Sequence, residues 1–182
     1  MKTTSLELAG ALLFEPPAYA DERGWFAESW RREVYAAAGA VADFMQDNLV
    51  YSRRRVLRGL HFQQPRAQAK LVYVLAGEVF DVGVDVRRGS PTFGRWLSVV
   101  LSQQNRRQVY WPEGFAHGYC VTGESALLAY KCGHIYDPAC ERTIRWDDPG
   151  LAIGWPVARP LISPRDAAAP RLKEIDPAWL PE

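Results

Sequence analysis

His61 lies in the run Arg58-Gly59-Leu60-His61, which leads through a Pro65-containing loop to an apolar segment opened by Lys70. The stretch gathers one base and two fixed cations. A histidine beside positive charge is held neutral and basic, the state required to abstract a proton. A nearby cation can stabilise the negative charge that the abstraction leaves. Gly59 decides whether Arg58 can share this work. In a regular strand Arg58 and His61 face opposite ways, and only a twist or bulge at the glycine brings them together. Taken alone, a strand-end histidine is more commonly a hydrogen-bonded structural residue, so its partners carry the argument.

Tyr130 is the second proton-carrying candidate, closing the apolar run Ala126-Leu127-Leu128-Ala129 ahead of Lys131. An amphipathic tyrosine at a strand end needs no chemical role. If it shares a cavity with His61, however, it can act as an acid on the opposite face of a bound molecule. An acid and a base flanking one carbon are what inversion of a stereocentre requires. A transition-metal site is the competing reading, and the histidines argue against it. Gln63 stands where a second same-face histidine would follow His61, and His117 and His134 lie far away in the chain. The amides Gln46 and Asn48 share one strand face and offer donors and acceptors to a ligand. The Arg53-Arg54-Arg55 run reads as a solvated turn.

These groups must be positioned by strands. From about residue 44 to 146 the chain is a series of short apolar runs divided by turn formers, without a helix-length amphipathic segment. Phe80, Val82, Val84 and Val86 alternate with Asp81, Gly83 and Asp85, which predicts a core face and an opposite face; Gly77 marks a turn or bulge. Further strands are expected over Phe93–Leu101, Ala116–Val121 and Ala126–Cys132, with turns at 87–91, 102–105, 113–114 and 147–150. Arg31–Ala38 and Arg171–Ile175 are the candidate helices. The pattern predicts an all-β jelly-roll sandwich with a few short helices, its ligand cavity in the mouth between the sheets.

The composition sets bounds on partners. A chain of 182 residues fits one domain with its own core, and 48% hydrophobic residues with seven tryptophans exclude disorder. A formal net charge of +1 gives no general pull toward nucleic acid or an anionic membrane, so any anionic ligand must be held by local cations. No signal-like segment opens the chain and no apolar run reaches the ~20 residues of a membrane span. Cys120, Cys132 and Cys140 form no C-x-x-C pair and read as packing residues in a reducing compartment. A cytoplasmic protein is expected.

Along nearly its whole length the sequence resembles the dTDP-4-dehydrorhamnose 3,5-epimerases and related sugar-nucleotide epimerases. The matching stretches include Asp21-Glu22-Arg23-Gly24 with Phe26 and Glu28, Gln46-Asp47-Asn48, and Val56-Leu57-Arg58-Gly59-Leu60-His61-Phe62-Gln63. They continue through Lys70-Leu71-Val72, Gly77–Val82, Ser90–Gly94, Pro112–Gly118, Tyr130-Lys131 and Trp146–Pro149. The resemblance implies one cupin-type domain over residues 1–182, a homodimer, and no metal or organic cofactor. It also implies His61 as base oriented by Asp166, Tyr130 as acid and Lys70 as the cation that holds the enolate.

The ligand-binding positions it implies are Arg23, Phe26, Glu28, Gln46, Asp47, Asn48, Arg58, His117, Tyr136, Glu141 and Arg165, with Tyr136 stacking on thymine. Arg23 and Glu28 would reach the neighbouring subunit's site in an exchanged N-terminal strand. The expected reaction inverts C3 and C5 of dTDP-4-dehydro-6-deoxy-D-glucose. The C4 ketone acidifies both hydrogens, and arginines and lysines grip the pyrophosphate. Departures from the family pattern include Val50, Tyr73 where arginine is frequent, Arg165 where lysine is common, and Arg142 after Glu141. They leave base and acid untouched. They keep open an epimerase that acts at C3 only; a ketoisomerase and a non-catalytic sugar-nucleotide-binding cupin are the more distant alternatives.

Overall fold

The computed structural model describes all of residues 1–182. The strands in chain order are β1 (Lys2–Ser5), β2 (Leu12–Glu15), β3 (Tyr19–Asp21), β4 (Gly24–Phe26), β5 (Gln46–Arg53), β6 (Leu57–Gln63), β7 (Lys70–Asp85), β8 (Trp96–Ser102), β9 (Gln108–Trp111), β10 (Phe115–Cys132) and β11 (Glu141–Thr143). Helices α1 (Arg32–Ala37) and α2 (Pro164–Ala167) and two 3-10 turns, Leu172–Glu174 and Pro177–Trp179, complete the chain. No helix is long and apolar enough to cross a membrane.

Nine strands form one antiparallel sheet bent into two leaves, with β3 and β4 as a separate hairpin. Two long strands run through both leaves. The first half of β7 pairs with β9 and with the end of β10, which also pairs with β5. The second half of β7 pairs with β8 and with the start of β10, which also pairs with β6; β11 closes that edge. The bend falls at Gly77, whose φ is +82° and where a Cβ would stand 2.0 Å from the Ser125 carbonyl oxygen. Only glycine allows β7 and β10 to approach so closely there. Residues 116–121 and 126–132, expected as two strands, therefore belong to the single strand β10, with a register shift between Val121 and Ala126.

The leaves face one another as a jelly-roll sandwich. Val72, Val74, Leu101, Val109, Trp111, Phe115, Val121 and Leu128 fill the space between them. A second cluster covers the other side of the second leaf: Val82, Val84 and Val86 pack with Ile144, Leu151, Leu172 and Leu180 from the C-terminal segment. With this layer on the valine face and the sandwich interior on the other, β7 departs from a simple alternation of core and surface. Asp81, Gly83 and Asp85 were expected on a face opposite the core, yet both sides of this strand are covered, and Asp81 and Asp85 are fully buried. Each carboxylate is accordingly saturated with donors, as burial of charge demands. Arg87, Ser90 and Thr92 serve Asp85, while Trp111 and His117 serve Asp81. The third cluster packs α1, through Tyr35, onto Leu12, Phe14, Leu71 and Tyr110.

Candidate active site

His61 is carried by β6 and opens into a cleft of about 350 Å³ between the leaves. Its Nε2 lies 2.7 Å from Oδ1 of the buried Asp166. The side chain of Ser163 caps α2 by accepting a hydrogen bond from the Asp166 amide at 3.0 Å, which fixes the carboxylate behind the imidazole. Burial pushes the Asp166 carboxyl up, but hydrogen bonds from His61, Gly59 and Ser163 outweigh it, and its pKa falls below the ordinary value. An ionised carboxylate only accepts, so His61 carries its proton on Nε2 and leaves Nδ1 with the free lone pair.

Arg58 and His61 do meet, and Gly59 is the reason. Its φ is +131°, and a Cβ would fall 2.5 Å from Gly118 Cα and 2.9 Å from the His117 carbonyl oxygen. The register between β6 and β10 shifts at this contact. Arg58 consequently lines a recess beside His61 together with Asp166 and Arg165. Its Nε donates to Ser52 Oγ at 3.2 Å.

Lys70 reaches the same cleft from the other leaf. It is 7% exposed, and its Nζ donates to the His61 carbonyl at 3.2 Å. Burial lowers its pKa, with Cys132, Glu141 and Asp81 opposing. Although they are only a loop apart in sequence, β6 and β7 are not paired with each other: both pair with β10, and the two residues meet across the sandwich. Tyr130, opposite Asn48 in the β10–β5 register, also lines the cleft. Burial pushes its phenol up to about 12, with Cys132 and Tyr119 adding and Arg58 opposing, so the hydroxyl is protonated at neutral pH.

Gln46, Asn48, Tyr136 and Glu141 complete the polar lining. Glu141 Oε2 accepts from the Tyr136 hydroxyl at 2.6 Å and pairs with Arg165 at 2.5 Å. Burial raises the Glu141 carboxyl, but these donors and the charge of His61 bring it below its ordinary pKa. The amide of Tyr136 donates to Gln46 Oε1 at 2.8 Å.

Other expected ligand positions lie elsewhere. Asp47 follows the period of two to the outer face of β5, 70% exposed on its side chain and paired with Lys131 at 2.9 Å. Arg23 pairs with Asp21 on the β3–β4 hairpin, Glu28 pairs with Arg31, and Phe26 is 68% exposed. None of these four lines the chain's own cleft. His117 is buried away from the cleft lining, with Nε2 2.8 Å from Asp81 Oδ2, while Trp111 Nε1 donates to Asp81 Oδ1 at 2.8 Å. Burial lowers the His117 pKa against the pull of Asp81. The chain has no group of three or more His, Cys, Asp and Glu side chains placed to hold a metal ion.

Sequence reasoning missed Gln63 and Gln68. Gln63 donates to the carbonyls of Arg66 and Ile135 and accepts from the Asp137 amide at 2.8 Å; Gln68 donates to the His134 carbonyl at 2.7 Å. The two amides bracket the loop that presents Tyr136. The replacement that reads as a missing metal ligand is a loop anchor, and nothing in the local pattern signals that role.

The sequence profile of the dTDP-4-dehydrorhamnose 3,5-epimerase family matches residues 5–174. A dTDP-4-dehydrorhamnose 3,5-epimerase of Shigella flexneri is 46% identical over 178 residues, covering 97% of this chain and 98% of the relative. The crystal structure of dTDP-6-deoxy-D-glucose-3,5-epimerase from Legionella pneumophila, in complex with dTDP-4-keto-L-rhamnose, superposes with a TM-score of 0.96 at 48% identity, covering 100% of this chain and 97% of that one. ChmJ, a 3'-monoepimerase from Streptomyces bikiniensis seen with dTDP-quinovose, is more distant: TM-score 0.87 and 38% identity, over 92% and 86% of the two chains. The chain belongs to the dTDP-4-dehydrorhamnose 3,5-epimerase family.

Proposed function

We propose that the protein is an isomerase that inverts C3 and C5 of dTDP-4-dehydro-6-deoxy-D-glucose, giving dTDP-4-dehydro-L-rhamnose. The observation that carries this reading is the convergence of His61, Tyr130 and Lys70 on one cleft, with an ionised carboxylate behind the histidine. Nδ1 of His61 removes the proton alpha to the C4 ketone. Asp166 stabilises the imidazolium that forms, as a buried hydrogen-bonded carboxylate does. The ammonium of Lys70 faces the enolate oxygen, and in a site with little water its charge is worth more than in solution. Tyr130 returns a proton from the opposite face, which inverts the carbon. The phenolate then recovers its proton from solvent and His61 releases its own, resetting the site for the second centre.

The thymidine diphosphate lies along the polar wall. Gln46 and Asn48 supply amide donors and acceptors, Tyr136 supplies a ring to stack on thymine, and Glu141 orients Tyr136 and Arg165. Arg58 and Arg165, in the recess beside His61, grip the diphosphate, and His117, held by Asp81, backs the site from within the sheet. Residues 1–182 act as one cupin-type domain and work as a homodimer. The hairpin exposes Tyr19, Trp25 and Phe26, and β5 exposes Leu49 and Tyr51, apolar surface of the kind that a second copy covers. In that dimer an exchanged N-terminal strand brings Arg23, Phe26 and Glu28 to the partner's cleft. Three free thiols fit a reducing cytoplasm.

Incubation with the 4-keto-6-deoxy sugar nucleotide in D2O, followed by NMR, tests the assignment. Deuterium should enter at both C3 and C5. Entry at C3 alone would make the protein a monoepimerase, and no entry at either carbon would remove the substrate assignment. A pull-down of differently tagged copies together with sedimentation checks the dimer, and an Arg23→Ala variant should raise KM only if the hairpin serves a partner's site.

A further inference from the structure

A second cavity, of about 720 Å³, lies at the edge of the C-terminal packing layer and shares no lining residue with the cleft of His61. Its floor is apolar: Leu151, Leu172 and Leu180 are buried there, and Phe93 at its side is 41% exposed. The rim is cationic, formed by Arg88, Arg95, Arg171 and Lys173. Arg88 and Arg95 reach Glu182 and Glu7 at 3.2 and 3.9 Å, whereas Arg171 and Lys173 form no ion pair. The single carboxylate in the lining, Asp148, is already committed. Oδ1 accepts from the Gly150 amide at 2.8 Å and Oδ2 from the Leu172 amide at 2.7 Å.

The walls of this cavity are tied to one another as well as to the sheet. Trp96 of β8 donates to the Leu151 carbonyl at 2.8 Å, the Gly94 amide bonds the Asp85 carbonyl at 2.8 Å, and the Arg88 amide bonds the Pro181 carbonyl at 2.8 Å. A concave apolar floor, a few convergent charges of one sign and walls fixed before anything binds are the properties of a small-molecule site. The volume is also in the range of such sites, roughly 300–1,000 Å³.

We propose that this cavity is a second ligand site, taking a small aromatic anion. The ring system lies on the leucines against Phe93, and a carboxylate, sulfonate or phosphate meets the unpaired cations Arg171 and Lys173. Charge selects the sign of the ligand and the floor selects its apolar body; a compact inorganic anion would leave the floor empty, and a neutral aromatic would leave the cations unanswered. The assignment stands independently of the sugar that the catalytic cleft accepts.

The test uses the full chain with 8-anilino-1-naphthalenesulfonate as probe. A saturable fluorescence rise should appear, and methyl and aromatic NMR shifts should concentrate at Phe93, Leu151 and Leu172 and leave Tyr130 and Tyr136 of the cleft unmoved. The Arg171→Glu/Lys173→Glu variant should weaken the probe at least about tenfold, which is the loss of one good charge contact. The uncharged analogue N-phenyl-1-naphthylamine should bind at least as weakly as that. Because both rim side chains lie outside the cleft, epimerisation by the variant reports that it is folded; if it is not, the single Lys173→Glu variant replaces it. Shifts concentrated at Tyr130 and Tyr136 instead, equal affinity of the charge-reversed protein, or equal affinity for the neutral analogue would each overturn the proposal.

Discussion

Lys70 donates a hydrogen bond from Nζ to the main-chain carbonyl of His61 at 3.2 Å, so the cation is tied to the backbone of the base itself. The two residues come from opposite leaves, and this contact sets their spacing directly. Since Lys70 is buried, its ammonium has few competing partners and remains aimed at the position where an oxyanion forms.

The Asp166→Asn variant tests the carboxylate behind His61. Asparagine keeps the shape but can present its amide NH2 to Nε2, which selects the other tautomer and places the imidazole proton on Nδ1. The expected result is a fall in kcat of about 10²–10⁴, the range of general base catalysis, with KM nearly unchanged. Stopped-flow kinetics and a dTDP titration separate the two; a KM effect alone would sink the orienting role.

Tyr130→Phe should separate exchange from inversion. His61 remains, so deuterium should still wash into the substrate, while net inversion falls by about 10²–10⁴. A parallel loss of both would reassign Tyr130 to substrate positioning. With its phenol pushed up to about 12, Tyr130 remains the acid form throughout the neutral range, and activity should show no loss from its ionisation until the alkaline side of pH 11.

Gly59→Ala should be expensive in stability. It forces a Cβ onto Gly118 at a positive φ, and overpacking together with the strained backbone should lower the unfolding free energy by about 2–4 kcal/mol in urea melts. In whatever fraction folds, Arg58 and His61 should lose their shared recess and kcat should fall further than Arg58→Ala alone would cause. A melt and a rate matching wild type would mean that β6 can re-register around an added methyl group.

The turn after β7 predicts acid sensitivity. Burial pushes the Asp85 carboxyl up, but Arg87, Ser90 and Thr92 hold it down at about 2, below the ~3.9 of an unfolded chain. The folded-state pKa is depressed, so the stabilisation of about 2 kcal/mol is complete above pH 5 and is lost as pH falls from about 4 through 2. Thermal melts against pH should show that loss in the wild type. Asp85→Asn should be less stable at pH 7 by about 3 kcal/mol, since Arg87 loses its partner, and its melts should depend less on pH in this window.

Local sequence carried the strands, because alternation and glycine or proline punctuation are local properties. It carried less of what depends on a second layer. The alternation in Phe80–Val86 marks one apolar face correctly, and residues 144–180 return over it; Asp81 and Asp85 are buried because their own face turns into the sandwich, where Gly83 lies against the Trp111 ring. The turn formers Thr122-Gly123-Glu124-Ser125 divide the pattern in two, although the backbone continues through them as one strand because Gly77 leaves room on its neighbour. At the site, Gly59 announces that Arg58 and His61 could meet, whereas Gln63 gives no sign of the loop it anchors. Asp47 is legible by the period of two: its strand position sends the side chain away from its neighbours Gln46 and Asn48, to Lys131.

The sharing of β7 and β10 by both leaves has a consequence for heat. A cleft built on a detachable loop can soften and lose activity well before the body of the protein melts. Here Lys70 and Tyr130 sit on the same continuous strands that hold the two leaves together, so these two groups have no hinge of their own through which to loosen. Inactivation on warming should coincide with the collapse of the whole sheet. Activity and far-ultraviolet circular dichroism, followed on one sample, should trace a single transition.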